Sequence, residues 1–375
     1  MRVLLIEFNS AELTLRLAGA LAGMVDDVCL MLPEREAEAH AHWLDPAVRF
    51  QPFDKPRLRD PVRQLLTQAR IVRHVRRFNP DVIHFQKGHL WFNFALLWLR
   101  RYPLVVAIHD PRHHVGDRSS RKTPQAIMDL AYRRADRIIA HNQAMKALVV
   151  EQCRIAEDRI DVVPLLERGD ARAAAGVSKE DNLVLFFGRL WPYKGLEYLI
   201  RAEPLVTARI PEARFVIAGR GEDLERYRQM MVHPDRFIVH NSFIAYDVRE
   251  ALFRRSSVVV LPYIEATQSG VIPVAYTHAT PVIATAVGGL PEQVDHGRTG
   301  YLVPPRDEVA LAEAIVRLLS DAELRRRMGR AARRKLETEW SAPVVARQTL
   351  AVYRRAIRDA ATARTATAMR FRSTS

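Results

Sequence analysis

Two basic residues five apart, Arg189 and Lys194, follow an apolar run in the segment FFGRLWPYKGLEYLIRA. The run Val184–Phe187 reads as a strand that ends at Gly188, and a helix begins near Gly195. In open α/β sheets, ligands bind beyond the carboxyl ends of the strands. There an Arg fork and a Lys point charge together suit a diphosphate. Two solvated loop cations are the plainer alternative. A second segment, LPYIEATQSGVIPVAYTHATPVIATAVGGLPE, holds Glu265, Gln268, Ser269, Gly270 and Val271 just before an apolar helical stretch. Unpaired N–H groups at a helix start favour phosphate, although Ser269 could equally be an ordinary N-cap. The third segment, VVAIHDPRHHVGD, puts His109 and Asp110 at the end of a strand. Its His109, Asp110, His113, His114 and Asp117 have the types of a metal cluster. Those types alone do not fix a metal, and no carboxylate-rich partner motif accompanies them. No metal is expected, and His109 reads as a hydrogen-bonding group at a cleft edge.

Other chemistries are excluded. AGRGED (218–223) supplies only the G-x-G part of a dinucleotide fingerprint, and the first strand is followed by FNSAEL, without glycine. There is no P-loop and no G-x-S-x-G elbow. Two cysteines, Cys29 and Cys153, make neither a disulfide scaffold nor a four-ligand zinc site. The formal charge of +14 points toward an anionic ligand or surface. Only seven of the 57 basic residues are Lys, so part of that charge reflects an Arg-rich composition. A nucleic-acid-binding protein would account for the charge. However, the Arg residues are scattered and no aromatic-interleaved basic stripe is present.

These segments need a scaffold, and the chain offers one twice. Short apolar strands alternate with helices over residues 1–165 and again over 182–345. This is the pattern of a doubly wound, mostly parallel sheet. The polar, small-residue-rich stretch 166–181 reads as a linker. A last helix, 346–361, follows, and the tail 362–375 reads as disordered. The N-terminus reads as no signal peptide, because Glu7 ends the first apolar run too early. No stretch approaches the roughly 18 apolar residues of a spanning helix. A cytoplasmic protein is expected.

The segments quoted, taken in order with RFVIAGRGEDLERY, NPDVIHFQ and ADRIIAHNQAM, resemble the family-4 retaining glycosyltransferases. The resemblance implies the GT-B fold: α/β, with two Rossmann-like domains facing a central cleft and the last helix crossing back to the first domain. It implies transfer of a sugar from a nucleoside-diphosphate sugar to an acceptor hydroxyl with retention, in glycan, polysaccharide or glycolipid biosynthesis. No metal or other cofactor is implied. Carried over by position, Arg189 and Lys194 hold the donor diphosphate beside Gly188. Ser269, Gly270 and Val271 supply amides to it, with Glu265 and Gln268 beside them. Gly219, Gly221 and Ile244 lie by the donor base. His109 lies near the transferred sugar, with Asp110 and Arg112 on the acceptor side.

The sequence departs from the family at its paired glutamates eight positions apart, where Ala266 and Val274 stand. A catalytically inactive nucleotide-sugar-binding protein is therefore the competing reading. The basic segment 61–77 and HLWFNFALLWLRRYP mix arginines with Leu65, Leu66, Trp91, Phe92 and Trp98. Such mixtures suit an anionic membrane surface. Contact with the inner face of a membrane, and a lipid-linked acceptor, are expected from it. The alternative is that both helices pack their apolar faces on the first sheet.

Overall fold

The structure is a computed structural model that describes residues 1–9, 11–86, 88–112, 124–221 and 224–373. Its described residues form two compact units: 1–112, 124–166 and 342–373 in the first, and 167–341 in the second. Unit 1 holds strands β1 (Arg2–Glu7), β2 (Asp27–Pro33), β3 (Arg49–Phe53), β4 (Val82–Gln86), β5 (Leu104–Ala107), β6 (Arg137–Ala140) and β7 (Ile160–Val162). They lie in the order β3-β2-β1-β4-β5-β6-β7. Unit 2 holds β8 (Leu183–Phe187), β9 (Arg214–Gly219), β10 (Phe237–Asn241), β11 (Val258–Leu261), β12 (Val282–Thr285) and β13 (Gly300–Val303), ordered β10-β9-β8-β11-β12-β13. Every pairing between these strands is parallel.

The winding reverses between β1 and β4 in one sheet and between β8 and β11 in the other. Such switch points open a crevice at the carboxyl ends of the strands. Helices cover both faces of each sheet, so central strands carry continuous apolar runs, as in the VLLI of β1, LVVA of β5 and VVVL of β11. In unit 1 one face packs Ile6, Phe8, Phe85 and Phe92, and the other packs Leu5, Val105, Ile139 and Tyr353. Cys29 and Cys153 are buried, and burial pushes their thiols up to about 12 and about 11, so both stay protonated.

The structure adds to and corrects the sequence reading. The strands β3 and β13 are both edges of their sheets. The first, RFQPF, is partly exposed and interrupted by Arg49, Gln51 and Pro52, and the second, GYLV, is only four residues long, so neither forms a sustained apolar run. The stretch 167–181 is not a linker but part of unit 2. The buried Glu250 carboxylate accepts from Asp170 N at 2.7 Å, and Thr277 Oγ1 donates to Arg168 O at 2.6 Å. Lys179 Nζ donates to Ser256 O and Thr280 Oγ1 at 2.9 and 2.7 Å. Hydrogen bonds rather than apolar side chains hold this stretch, so its composition does not reveal its packing. The last helix spans Ala342–Ser373 without a break at Ala361. Residues 362–373 contain neither Pro nor Gly to end it. Among the described residues no helix is long and apolar enough to cross a membrane.

Candidate active site

In unit 2, the loops that follow β8, β9, β11 and β12 are laid against one another. Glycine permits this. A Cβ on Gly219 would stand 1.7 Å from Gly188 O, and one on Gly221 would stand 2.3 Å from Leu190 O. Gly188 N donates to Ala218 O and Leu190 N to Arg220 O, so the β8 and β9 loops continue side by side past the sheet. Both glycines assigned to the donor base thus have a backbone reason of their own. Gly195, at φ +62°, passes close to Pro262 O, and Ile264 N donates to Tyr193 O at 2.8 Å. This docking of the β8 loop on the β11 loop positions Lys194. Its ammonium lies 3.6 Å from the centroid of the buried Tyr263 ring and 4.9 Å from that of Tyr193. Burial raises the Tyr263 phenol well above its ordinary range, so it stays neutral under the cation. Arg189 is exposed at the rim.

Ser269 is buried and held on three sides. Its N–H donates to Gln293 Oε1 at 2.7 Å, its carbonyl accepts from Gln293 Nε2 at 3.1 Å, and its hydroxyl accepts from Val271 N at 3.3 Å. Two of the three amides assigned to a diphosphate are therefore engaged inside the protein. Gly270 faces the Arg168 guanidinium, where a Cβ would stand 2.7 Å from Nη1. Gln293 and Arg168 went unread in the sequence. Gln293 follows the double-glycine turn AVGGLPE and could have been sought there. Arg168 lay in the stretch read as a linker. Glu265 is exposed and Gln268 half-buried beside this loop. Ala266 and Val274, which replace the paired glutamates, are buried in the apolar core. Ile244 packs against that core, while its neighbour Phe243 is 83% exposed.

In unit 1 the period-2 alternation of strands brings polar residues onto one face. Gln86 at the end of β4, His109 just past β5 and His141 just past β6 follow neighbouring strands, paired in register at Gln86↔Ala107 and Ala107↔Ile139. His109 Nε2 donates to Gln86 Oε1 at 3.1 Å. The His109 and His141 rings are 4.8 Å apart. Asp110 lies within electrostatic range of His141. The exposed Arg112 donates to the Gln152 carbonyl. His113, His114 and Asp117 fall outside the described residues. Among the described residues, no group of three His, Cys, Asp or Glu is arranged to hold a metal. On the opposite face of the sheet, by β1, His89 stacks on Phe8 at 4.0 Å, and Lys55 bonds to Phe8 O and Asn9 Oδ1.

Comparison with known proteins accounts for both units. The model for glycosyltransferase family 4 matches residues 11–165, and that for glycosyl transferases group 1 matches residues 181–321. An uncharacterized glycosyltransferase of Methanocaldococcus jannaschii is 29% identical over 294 residues, 73% of this chain and 75% of the relative. The alpha-D-kanosaminyltransferase of Streptomyces kanamyceticus is 28% identical over 263 residues, 68% of each chain. Among solved structures, sucrose-phosphate synthase from Thermosynechococcus elongatus superposes with a TM-score of 0.72 at 20% identity, over 94% of this chain and 98% of that one. Anabaena HepE, crystallised with UDP-glucose, gives 0.66 at 18% identity, over 93% and 98%. One family model falls on each parallel sheet. The chain therefore belongs to the family 4 and group 1 glycosyltransferases, with the GT-B fold.

Proposed function

We propose that the enzyme transfers a sugar, with retention, from a nucleoside-diphosphate sugar to an acceptor hydroxyl. One observation carries the reading: Lys194 is fixed over Tyr263 at the switch point of the second sheet, beside the loop that holds Ser269 and Gly270. A cation so held needs no reorganisation when the leaving diphosphate gains charge, which is where preorganised electrostatics lowers a barrier. Arg189 and Arg168 add charge at the same loops. Phe243 and Ile244 offer a face to the base, and Gly219 and Gly221 let the backbone pass close to it. In unit 1, His109 is assigned to the transferred sugar, and Asp110 and Arg112 to the acceptor. The sugar's bond to the diphosphate breaks as the acceptor oxygen attacks from the same face. A β-phosphate oxygen takes the acceptor's proton. This route needs no pair of catalytic carboxylates, unlike glycoside hydrolysis, and no metal. It is compatible with Ala266 and Val274 in the glutamate positions. HepE was crystallised with UDP-glucose, and a relative is named for transfer of a kanosaminyl group; both fit a nucleotide-sugar donor.

The test is a thermal-shift screen of nucleoside-diphosphate sugars, since a bound donor raises apparent stability. It is followed by turnover on an acceptor panel, with the product anomer read by NMR. Retained configuration supports the proposal. Donor binding without turnover supports the inactive-binder reading instead, and an inverted product overturns the stereochemistry.

A second observation favours contact with an anionic membrane, and with it a lipid-linked acceptor at the inner face of the cytoplasmic membrane. The helix Pro61–Phe78 is inside-out in its first two turns. Gln64, Thr67 and Gln68 are buried, while Val62, Leu65 and Leu66 are 66%, 59% and 54% exposed. Trp98 is 61% exposed, and Arg76 donates to its carbonyl. Phe92 is buried in the core and takes no part, while Trp91 is half-buried with its indole N–H donating to Leu58 O. Apolar residues that turn away from the core among arginines suit a headgroup layer. Sedimentation with phosphatidylglycerol vesicles should be lost in the Leu65→Ser/Leu66→Ser variant. Wild-type protein left in the supernatant at low salt would refute the contact.

A further inference from the structure

Behind His109, between the first sheet and the helices that cover it, lies a cavity of about 30 Å³. Its walls include His84, Gln86, His109, His141, Leu13, Val163 and Thr349. Most of the lining is apolar, yet two ring nitrogens, His84 Nε2 and His141 Nε2, are buried without any hydrogen-bond partner in the protein. A buried polar nitrogen left unpaired costs roughly 1–3 kcal/mol. Two at one cavity call for an explanation.

Their protonation follows from their other bonds. His141 Nδ1 lies 3.1 Å from Val163 O. A carbonyl only accepts, so Nδ1 carries the hydrogen and Nε2 presents a lone pair. His84 Nδ1 lies 2.6 Å from the hydroxyl of the fully buried Tyr353. If His84 donated, the phenol hydrogen would be stranded in the core. The phenol therefore donates, and His84 carries its hydrogen on Nε2. Burial lowers His84 to about 3 and His141 to about 4, so both rings are neutral near pH 7. The cavity thus presents one donor and one acceptor. A single water needs roughly 10–15 Å³ and at least two polar partners. The space and the pair match it.

We propose that this cavity is an ordered-water site, and that the chain Tyr353–His84–water–His141 fixes the ring against which His109 is set. His84 and His141 are then positioning residues: they hold His109 between Gln86 and His141 without touching substrate. The positioning role rests on the assignment of His109 to the sugar site, while the water site stands independently of it. The last helix, which carries Tyr353, becomes part of the support of the site.

The experiment has three arms. A high-resolution crystal structure should show one water within hydrogen-bond distance of both Nε2 atoms. Dry density, or a direct contact between the rings, overturns the site. Long-range ¹H–¹⁵N NMR of the wild-type protein should find His84 as the Nε2–H tautomer and His141 as the Nδ1–H tautomer; the reverse assignment overturns the network. In His141→Leu, kcat should fall roughly tenfold with the donor KM unchanged, as expected for a displaced group rather than lost binding. The His109 ring nitrogens should also shift toward tautomer-averaged values. Unchanged kcat and unchanged His109 shifts overturn the positioning role. A His141→Leu protein that does not fold leaves the wild-type arms decisive for the network. His109→Ala with full activity would instead remove the sugar-site assignment, and the crystallographic and tautomer results would be unaffected.

Discussion

The two units solve one topological problem with different chemistry. Each is a parallel sheet whose winding reverses once; unit 2 gathers its candidate residues at that reversal, whereas those of unit 1 lie at the ends of β4, β5 and β6, to one side of it. Around the unit 2 reversal, backbone passes close to backbone, glycines allow the approach, and cations are added: Lys194 over Tyr263, Arg168 beside Gly270. Near the unit 1 reversal, no comparable glycine contact occurs among the described residues after β1. On the sheet face the polar groups are mainly rings and amides, Gln86, His109, His141 and His84, and burial keeps His84 and His141 neutral near pH 7. The first arrangement suits a fixed anion, because cations and close backbone stabilise charge. The second suits a neutral sugar or hydroxyl, for which direction of hydrogen bonds matters more than charge.

That contrast can be broken at its strongest point. Lys194→Ala should lower kcat/KM by roughly 10²-fold or more, about 3 kcal/mol of transition-state stabilisation. Steady-state kinetics with a saturating acceptor checks it, and an unchanged value removes the charge argument from unit 2. Gly219→Ala tests the backbone contact instead. Its Cβ would fall 1.7 Å from a carbonyl oxygen at φ +151°. A loss of about 2–3 kcal/mol in chemical denaturation is expected, and a wild-type midpoint would show that the loops can separate.

Gln293→Leu sharpens the unit 2 half. It removes both bonds to the Ser269 backbone while keeping the volume, and should cost about 1–2 kcal/mol. Donor KM should rise as the loop loosens, as isothermal titration with UDP would also show.

The last test concerns the neutral rings of unit 1. Burial lowers His84 to about 3, and His89 and His141 to about 4, with Lys55 adding to the shift of His89. Unfolded histidine titrates near about 6.5. Between these values the unfolded chain binds more protons than the folded one. Stability is therefore fully present above about pH 6.5 and lost as pH falls toward 4. Urea midpoints between pH 7.5 and 5 should decline, and His89→Phe should make the decline shallower. Equal slopes in the two proteins would mean that His89 takes no part.

Much of this was legible beforehand. Continuous apolar runs marked eleven of the thirteen strands, because a strand buried on both faces has no polar alternative. Arg189, Lys194 and Ser269 stood out by following such runs. Gln293, Arg168 and His84 did not. Gln293 holds Ser269 from 24 residues away, and His84 meets Tyr353 from 269 away. Periodicity within a segment carries no record of such pairs. His84 and His141 also sit in apolar strand surroundings, where a polar residue looks like an interruption.

By itself the sequence determined the repeated α/β architecture, the carboxyl-end loops that carry candidate chemistry, and the family these imply. Those depend on local periodicity and on residue types at fixed short spacings. Only the tertiary structure decided that 167–181 packs into unit 2, that the first turns of Pro61–Phe78 face outward, and that two buried imidazoles share one cavity behind His109. Each of these depends on which distant backbone or side-chain groups meet, and hydrogen bonds between distant groups leave no periodic trace in the chain.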